Sequence, residues 1–237
     1  MSGRLRGGVW TGISRLFSQV VQFAVFMLAA QTMEPAEFGI FALVSAWAIL
    51  LALVAGAGWP EYVMQWNGDA ERPRRVMAIA ILSGGALTLL GLGMGLLSPL
   101  LFSDPTVPPL IQLFALTVVL GSAANTVSGV MNWQERLTAA AVAMIVADTV
   151  TLAVSVWGLL AHYGVFALAF GKIAGTTAWL LIGLAVVRLS PDFRLRLSEV
   201  AEIARFSVRI VAVRLLTTLR LYAGTFLVGG FLGTAEA

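Results

Sequence analysis

Five ionisable side chains stand inside stretches of the sequence that are otherwise apolar. They are Arg15, Asp148, Lys172, Arg214 and Arg220. A charged group within a bilayer is energetically costly, and it usually faces a protein interior or a water-filled cavity, where it meets a partner or a ligand. Four of the five are cations and one is an anion. The chemistry that they offer is therefore the binding of an anion or the formation of ion pairs inside the membrane.

Arg220 and Asp148 lie deepest in their apolar stretches. At a helical rise of about 1.5 Å per residue, Arg220 is about 18 Å and Asp148 about 21 Å from the outer ends of their helices. Their similar depth allows a structural ion pair between them. Arginine also offers two parallel hydrogen bonds to a phosphate and stays protonated, so Arg220 is equally a candidate ligand for an anion in a cavity. A third interpretation, which ranks below the ion pair, makes Asp148 a proton carrier in coupled transport.

The other three cations lie nearer the ends of their stretches. Lys172 is about 12 Å from the outer surface, and Arg15 and Arg214 are closer to the opposite face. Long basic side chains at such depths often extend along the helix to water. Snorkelling is the simpler interpretation of these three residues, and a cavity role is the alternative.

The composition indicates an integral membrane protein. Hydrophobic residues make up 59% of the chain and charged residues only 11%, with a mean hydropathy of +0.91. A soluble domain carries about 25% charged residues. One histidine and no cysteine leave little for a metal site, a thiol nucleophile or a disulfide framework. The outer loops are short and no acidic or histidine cluster occurs, so we expect neither an enzyme of glycan assembly nor a cofactor.

The apolar stretches predict seven membrane-spanning helices, since a helix needs about 20 apolar residues to cross a bilayer. The fold class is therefore an all-α integral membrane protein. The predicted spans are 9–32, 38–60, 76–101, 109–131, 137–161, 164–188 and 207–232. Glycines four residues apart predict close helix packing; the pairs are Gly91/Gly95, Gly171/Gly175 and Gly229/Gly233.

The distribution of arginines predicts the orientation. Eleven of the fifteen basic residues fall at one end of the predicted bundle, and basic residues are retained in the cytoplasm during insertion. They are Arg4, Arg6, Arg72, Arg74, Arg75, Arg136, Arg188, Arg194, Arg196, Arg205 and Arg209. The predicted N-terminus is therefore cytoplasmic, in a multi-pass membrane protein.

The first and last predicted helices resemble each other. When residues 14–37 are laid over residues 213–236, Arg15 meets Arg214 and the Ala-Glu pairs at the two ends coincide. Parallel repeats of helical units are a transporter architecture. We therefore expect an N-terminal six-helix lobe at 1–190, an amphipathic cytoplasmic linker at 191–206 that lies on the leaflet, and the first helix of a truncated second lobe at 207–237. The alternative is a complete seven-helix protein with a chance similarity.

Several segments resemble the bacterial polysaccharide (Wzx-type) flippases. The turn "MEPAEFG" at 33–39 is similar to the family's L-x-P-x-x-F-G turn, with Met33 in place of the leucine. A helix that ends in "AGAGWPEY" follows it. "GVFALAFGKIAGT" at 164–176 is similar to the start of the family's sixth helix, and "LSPDFRLRLSEVAEIARFS" at 189–207 to its inter-lobe linker. The resemblance covers essentially the whole chain.

The resemblance implies a fold and a function. The superfamily also holds drug/sodium antiporters and lipid II flippases, in which two lobes enclose a central cavity. Its implied activity is the flipping of polyprenyl-pyrophosphate-linked oligosaccharide by alternating access, for cell-surface polysaccharides such as lipopolysaccharide or exopolysaccharide. The implied partners are this lipid-linked substrate, membrane lipids, and a C-terminal half or other polysaccharide-assembly proteins, with no nucleic acid. The alternatives are a drug or ion antiporter of the superfamily and a non-transporting membrane fragment.

Overall fold

The structure is a computed structural model that describes residues 3–56, 58–66, 68–102 and 104–232. In the last helix the side chains are described as far as Thr217, with the exception of Leu215. The described residues form α-helices joined by short turns, with no strand among them. The predicted all-α membrane fold is confirmed.

Eight helices follow one another along the described chain, with a short 3₁₀ turn at Ser98–Leu100 after the fourth. Five of the six turns between the predicted spans fall within a few residues of the predicted breaks. The helices are α1 Gly3–Thr32, α2 Pro35–Ala55, α3 Trp59–Gln65, α4 Glu71–Leu97, α5 Val107–Trp133, α6 Leu137–Leu160, α7 Val165–Val187 and α8 Leu197–Leu232.

The second predicted span, 38–60, is not one continuous helix, and in this detail the prediction was wrong. It is divided into α2 and α3 by a break at residues 56–58. Gly58 has a φ of +78°, a left-handed conformation that ends a helix and that glycine adopts without strain. Pro60 lies in the first turn of α3, where the absence of its N–H removes no helical hydrogen bond.

Helix pairs pack through the predicted glycines. Gly91 of α4 lies against Ala115 of α5, where an added Cβ would come within 2.8 Å of the alanine methyl. Gly171 and Gly175 of α7 lie directly against Ser155 and Thr151 of α6. Small residues permit this close approach, and dispersion and polar contacts then hold the helices together in lipid. The third pair, Gly229/Gly233, lies outside the described side chains.

The turns divide into two ends of the bundle. The Trp133 indole N–H donates to the carbonyl of Trp66 at 2.9 Å, and Arg136 donates to the carbonyl of Val186 at 2.6 Å. These contacts join the turns at 66–70, 134–136 and 188–196 at what we call the basic end. The turn at Gly164 lies against Glu37 and belongs to the far end. The predicted alternation of basic and non-basic turns is therefore reproduced by the fold.

Six stretches of the described chain are long and apolar enough to cross a membrane: Gly7–Thr32, Pro35–Gln65, Glu71–Leu100, Val107–Trp133, Leu137–Leu160 and Val165–Val187. They match the first six predicted spans. The seventh, 207–232, is helical within α8, but most of its side chains lie outside the described part of the chain. Its membrane crossing stays a prediction.

α8 is one helix from Leu197 to Leu232 and passes without interruption through the predicted boundary between linker and seventh span at 206/207. Only the first part of the predicted linker is non-helical, and the Asp192 N–H there donates to the carbonyl of Arg74 at 3.1 Å. The division into two lobes stays a prediction.

Candidate functional site

The break between α2 and α3 is surrounded by polar groups from other helices. A methyl group added at Gly56 would lie 3.1 Å from the Nδ2 of Asn125 and 3.8 Å from a guanidinium nitrogen of Arg214. One added at Gly58 would lie 3.0 Å from the side chain of Ile210. Non-helical backbone at membrane depth is tolerated where protein covers it or where it lines a cavity. α8 therefore contacts the second span at this break.

Arg214 of α8 forms an ion pair with Glu61 in the first turn of α3. Both side chains are partly buried, with 40% of Arg214 and 29% of Glu61 exposed. One oxygen of Glu61 takes the guanidinium, and the other is buried with no hydrogen-bond partner among the described residues. Arg214 therefore has an anionic partner within the protein, and its snorkelling and its cavity role both stay predictions.

This pair leaves bonding capacity on both partners. A guanidinium has five N–H donors and a carboxylate has about four acceptor sites, and among the described residues the only side-chain bond of Arg214 is to Glu61. Breaking such a pair by removing one partner leaves an uncompensated charge. An incoming anion that replaced the carboxylate would leave the arginine neutralised throughout. The arrangement can therefore exchange one anionic partner for another.

A second ionic layer lies at the basic end, about three turns of α8 before Arg214. Arg72 and Arg75 at the start of α4 share the carboxylate of Glu199, at 3.1 and 2.7 Å. Arg72 also pairs with Glu202, and Arg75 lies 3.6 Å from a carboxylate oxygen of Asp192. We call these five residues the outer network. It fastens the linker and the start of α8 to α4.

Tyr62 of α3 joins the outer network to the apolar layer beneath it. Its hydroxyl donates to Glu202 at 2.9 Å and accepts from Arg72 at 3.2 Å. Its ring packs edge-on against Phe206 with centroids 5.4 Å apart, while Ile203 is fully buried beside it. Two hydrogen bonds hold the pKa of the Glu202 carboxyl below its ordinary value, and the bond from Arg72 has a larger effect than the bond from Tyr62. Glu202 is therefore ionised at neutral pH.

An apolar cavity of about 250 Å³ opens between α2, α4 and α5 towards the far end. Its lining includes Trp47, Leu51, Met94 and Phe114, and no charged side chain contributes to it. It has no cation with which to bind an anion, so it is not a candidate anion site.

The remaining candidates are dispersed. Asp148 of α6 accepts a hydrogen bond from the hydroxyl of Ser18 on α1. Arg15 and Lys172 are exposed on α1 and α7, and no salt bridge to either occurs in the described part of the chain. The side chain of Arg220 lies outside the described residues. Its pairing with Asp148, its cavity role and the proton-carrier role of Asp148 therefore all stay predictions.

A sequence model of the family described as polysaccharide biosynthesis protein matches residues 4–237. This chain belongs to the polysaccharide biosynthesis protein family. The match includes the helix break, the Arg214–Glu61 pair and the outer network. No curated protein and no solved structure matches the chain. With its six apolar helices, this member of the family is a multi-pass membrane protein, and membership supports a transport role in polysaccharide synthesis.

The sequence analysis did not identify Glu61, the acidic partner of Arg214, as a site residue. The second predicted span ended at residue 60, directly before Glu61, so the carboxylate was placed outside the membrane. The signal was present in "GAGWPE", where a glycine pair and a proline predict an interrupted helix rather than a terminus. Nothing in the sequence pairs Arg72 or Arg75 with acids more than a hundred residues away, because contacts between separate helices carry no local periodicity.

Proposed function

We propose that this protein flips polyprenyl-pyrophosphate-linked oligosaccharide across the bacterial inner membrane, as a Wzx-type flippase lobe whose basic end faces the cytoplasm. It moves its substrate without making or breaking covalent bonds in it. Family membership supports the link to polysaccharide synthesis. The substrate, the direction of transport and the orientation are part of the proposal.

One observation carries the proposal: a permanent cation, Arg214, lies at the helix break with a single carboxylate, Glu61, as its salt-bridge partner in the described structure. A pyrophosphate that leaves the aqueous phase needs compensation of its charge, since an isolated anion in an apolar medium is strongly disfavoured. Arginine supplies that charge at every physiological pH and matches phosphate oxygens with two parallel N–H groups.

In the proposed mechanism, Glu61 holds Arg214 until the substrate arrives. The pyrophosphate then takes the guanidinium, and α8 is released from α3 because the pair was a bond between them. The donor groups of Asn125 lie next to the same break and supply further hydrogen bonds. Exchange of one anion for another keeps the arginine compensated, while the carboxylate of Glu61, which is 29% exposed, must then be hydrated.

The outer network has a separate part in the proposed mechanism. It joins the linker and α8 to α4 at the basic end, which corresponds to a lobe whose basic end is closed. Alternating access requires this end to open when the substrate head enters from the cytoplasm. Arg72, Arg75 and Glu199 are only 12–18% exposed, so opening of this end must let water or the substrate head reach their charges, because a buried charge that loses its partner is costly.

Binding of a polyprenyl pyrophosphate to the purified protein in detergent tests the proposal. We expect a polyprenyl pyrophosphate to bind more tightly than the polyprenyl alcohol of equal length, and Arg214→Gln to weaken binding of the pyrophosphate at least about tenfold while leaving the alcohol unaffected. Arg214→Lys should have an affinity between those of the parent and Arg214→Gln, since an ammonium group keeps the charge but lacks the two parallel N–H groups of the guanidinium. Arg209→Gln is the matched control, with the same change of charge on the same helix at an exposed position.

Export provides the second measurement. A flippase-null strain that carries the gene with Arg214→Gln should lose surface polysaccharide, whereas the strain with Arg209→Gln should keep it. Equal binding of pyrophosphate and alcohol, or normal export with Arg214→Gln at normal expression, would show that the proposed role of Arg214 is wrong.

A further inference from the structure

The linker and the first turns of α8 carry charges of both signs, and the fold separates them. Three acidic residues occur in this segment, and all three pair with arginines of α4: Asp192 with Arg75, Glu199 with both Arg72 and Arg75, and Glu202 with Arg72. The acids are thus neutralised within the protein, although Glu202 stays 57% exposed. The charges of the segment that remain without an opposite charge are basic.

The exposed basic residues of this segment are Arg194, Arg196 and Arg205. None of the three forms a salt bridge within the described chain; the carboxylate of Asp192 accepts from the backbone N–H of Arg194, at 3.0 Å, rather than from its guanidinium. The segment thus presents three cations that have no counter-ion in the described chain. Their surface is therefore complementary to a surface of negative charge.

Apolar side chains stand exposed among these arginines. Phe193 is 57% exposed and Leu197 is 89% exposed. Val208, three turns further along α8 on the same side as Leu197, is 68% exposed. A folded chain gains nothing from presenting such residues to water. Arginines beside exposed Phe and Leu are the composition with which an interfacial segment enters the boundary between headgroups and acyl chains.

The position of the segment identifies the negative surface. It begins at the end of α7, at Val187, and is held to the start of α4 by the hydrogen bond from Asp192 to Arg74. Both helices are candidate membrane spans that end here. The segment therefore lies at the level where the hydrocarbon of the bilayer gives way to headgroups, and phospholipid headgroups are the anions within its reach.

We propose that Phe193, Arg194, Arg196, Leu197 and Arg205 form a docking surface for anionic phospholipids, which we call the linker face. The guanidinium groups bind the headgroup phosphates, and the two apolar side chains insert beside the first methylene groups of the acyl chains. The inner side of the same segment carries the outer network, so lipid binding fixes the outer network in place from outside. This inference does not depend on the substrate of the protein.

A single fluorophore at the linker face provides the test. The chain has no cysteine, so Ser198→Cys, exposed next to Leu197, accepts one environment-sensitive nitrobenzoxadiazole label. The labelled protein is placed in nanodiscs of phosphatidylcholine with an increasing fraction of phosphatidylglycerol. We expect a blue shift and a rise in fluorescence as phosphatidylglycerol increases, and loss of this response in 0.5 M NaCl, at about a 4 Å Debye length.

Removal of the charges gives the decisive comparison. In the double variant Arg194→Gln with Arg196→Gln, the phosphatidylglycerol fraction that gives half of the response should rise about twofold or more. The reason is that each arginine near an anionic surface strengthens the attraction about fivefold. Arg188→Gln with Arg209→Gln removes the same charge from exposed positions outside the linker face and should move the midpoint less. A response that is equal in pure phosphatidylcholine, or a midpoint that the linker variant does not move, would overturn the proposal.

Discussion

Arg214 and Glu61 form an ion pair that joins α8 to the helix after the break in the second span. The two residues are 153 positions apart in the chain. Four residues before Arg214, Ile210 packs against Gly58 in the break itself. A glycine in the left-handed conformation, an apolar contact and an ion pair thus occur together at the same crossing. The contact between α8 and the second span thus depends on particular residues. Its ionic part, the pair of Arg214 and Glu61, is the part that an anionic ligand can replace.

Glu61→Gln should raise the affinity of the protein for a polyprenyl pyrophosphate. If Glu61 competes with the anion for Arg214, the neutral amide of similar shape competes less, and we expect tighter binding by about tenfold, as for a change of about 1.4 kcal/mol. Equilibrium binding in detergent measures this. Glu71→Gln is the control, because Glu71 belongs to an exposed pair with Arg75 at the basic end. Unchanged or weaker binding with Glu61→Gln would mean that Glu61 only stabilises the fold.

The pair should also be visible in stability. Glu61→Gln and Arg214→Gln each leave one charge without its partner, whereas the double variant leaves none. We expect each single variant to unfold more easily than the double variant. The coupling free energy should be about 1 kcal/mol rather than the several kcal/mol of a fully buried pair, because both side chains are partly exposed. Thermal unfolding of the four proteins in one detergent gives the double-mutant cycle, and additive effects would contradict the coupling.

The helices of this protein could be predicted from its sequence, and the polar crossing could not. Apolar length, prolines and glycines act within a single segment, so the breaks near residues 34, 105, 135 and 162 follow from local chemistry. The partner of Arg214 depends on which helix lies beside α8, which is set by packing over the whole lobe. The sequence therefore identified Arg214 as a costly cation but did not identify Glu61 as the residue that compensates it.

The outer network should lose its stabilising effect in acid. Arg72 and Tyr62 hold the pKa of Glu202 below its ordinary value of 4.5, so the folded state favours the ionised carboxylate. The stability that this provides is present above the ordinary pKa and is lost as the pH falls through the lowered pKa of the folded state. We expect Glu202→Gln to unfold at a lower temperature than the parent at pH 7, and we expect this difference to shrink as the pH falls below 4.5. A difference that stayed constant as the pH was lowered would contradict an ionic role for Glu202.

The orientation of the two ends can be tested because the protein lacks cysteine. Asp104→Cys lies in an exposed turn at the far end, and Ser198→Cys lies at the basic end. If the basic end faces the cytoplasm, a membrane-impermeant thiol reagent added to intact spheroplasts should label Asp104→Cys and leave Ser198→Cys unlabelled until the membrane is opened. The reverse pattern would invert the predicted topology.

The hydrogen bond from Ser18 to Asp148 allows a test of the predicted ion pair between Asp148 and Arg220. Asparagine offers the same acceptor oxygen to Ser18, so Asp148→Asn retains the described contact and removes only the negative charge. We expect Asp148→Asn to keep normal expression and thermal stability, within about 0.5 kcal/mol, as for a substitution that breaks no buried interaction. Ser18→Ala, which removes the donor, should be the more destabilising change.

A different result would identify an ion pair between Asp148 and Arg220. In that case Asp148→Asn leaves a cation without its partner within the membrane, where the penalty is about 2.5–3.5 kcal/mol at the centre of a helix. Expression should then fall, and the addition of Arg220→Gln should restore it, because the charge that lost its partner is removed as well. If instead Arg220 is held for an anionic substrate, Arg220→Gln alone should leave expression normal and abolish export. The two variants and their combination therefore separate the two roles. A structural pair predicts that the double variant regains normal expression, and a binding role predicts that Arg220→Gln loses export at a normal level of protein.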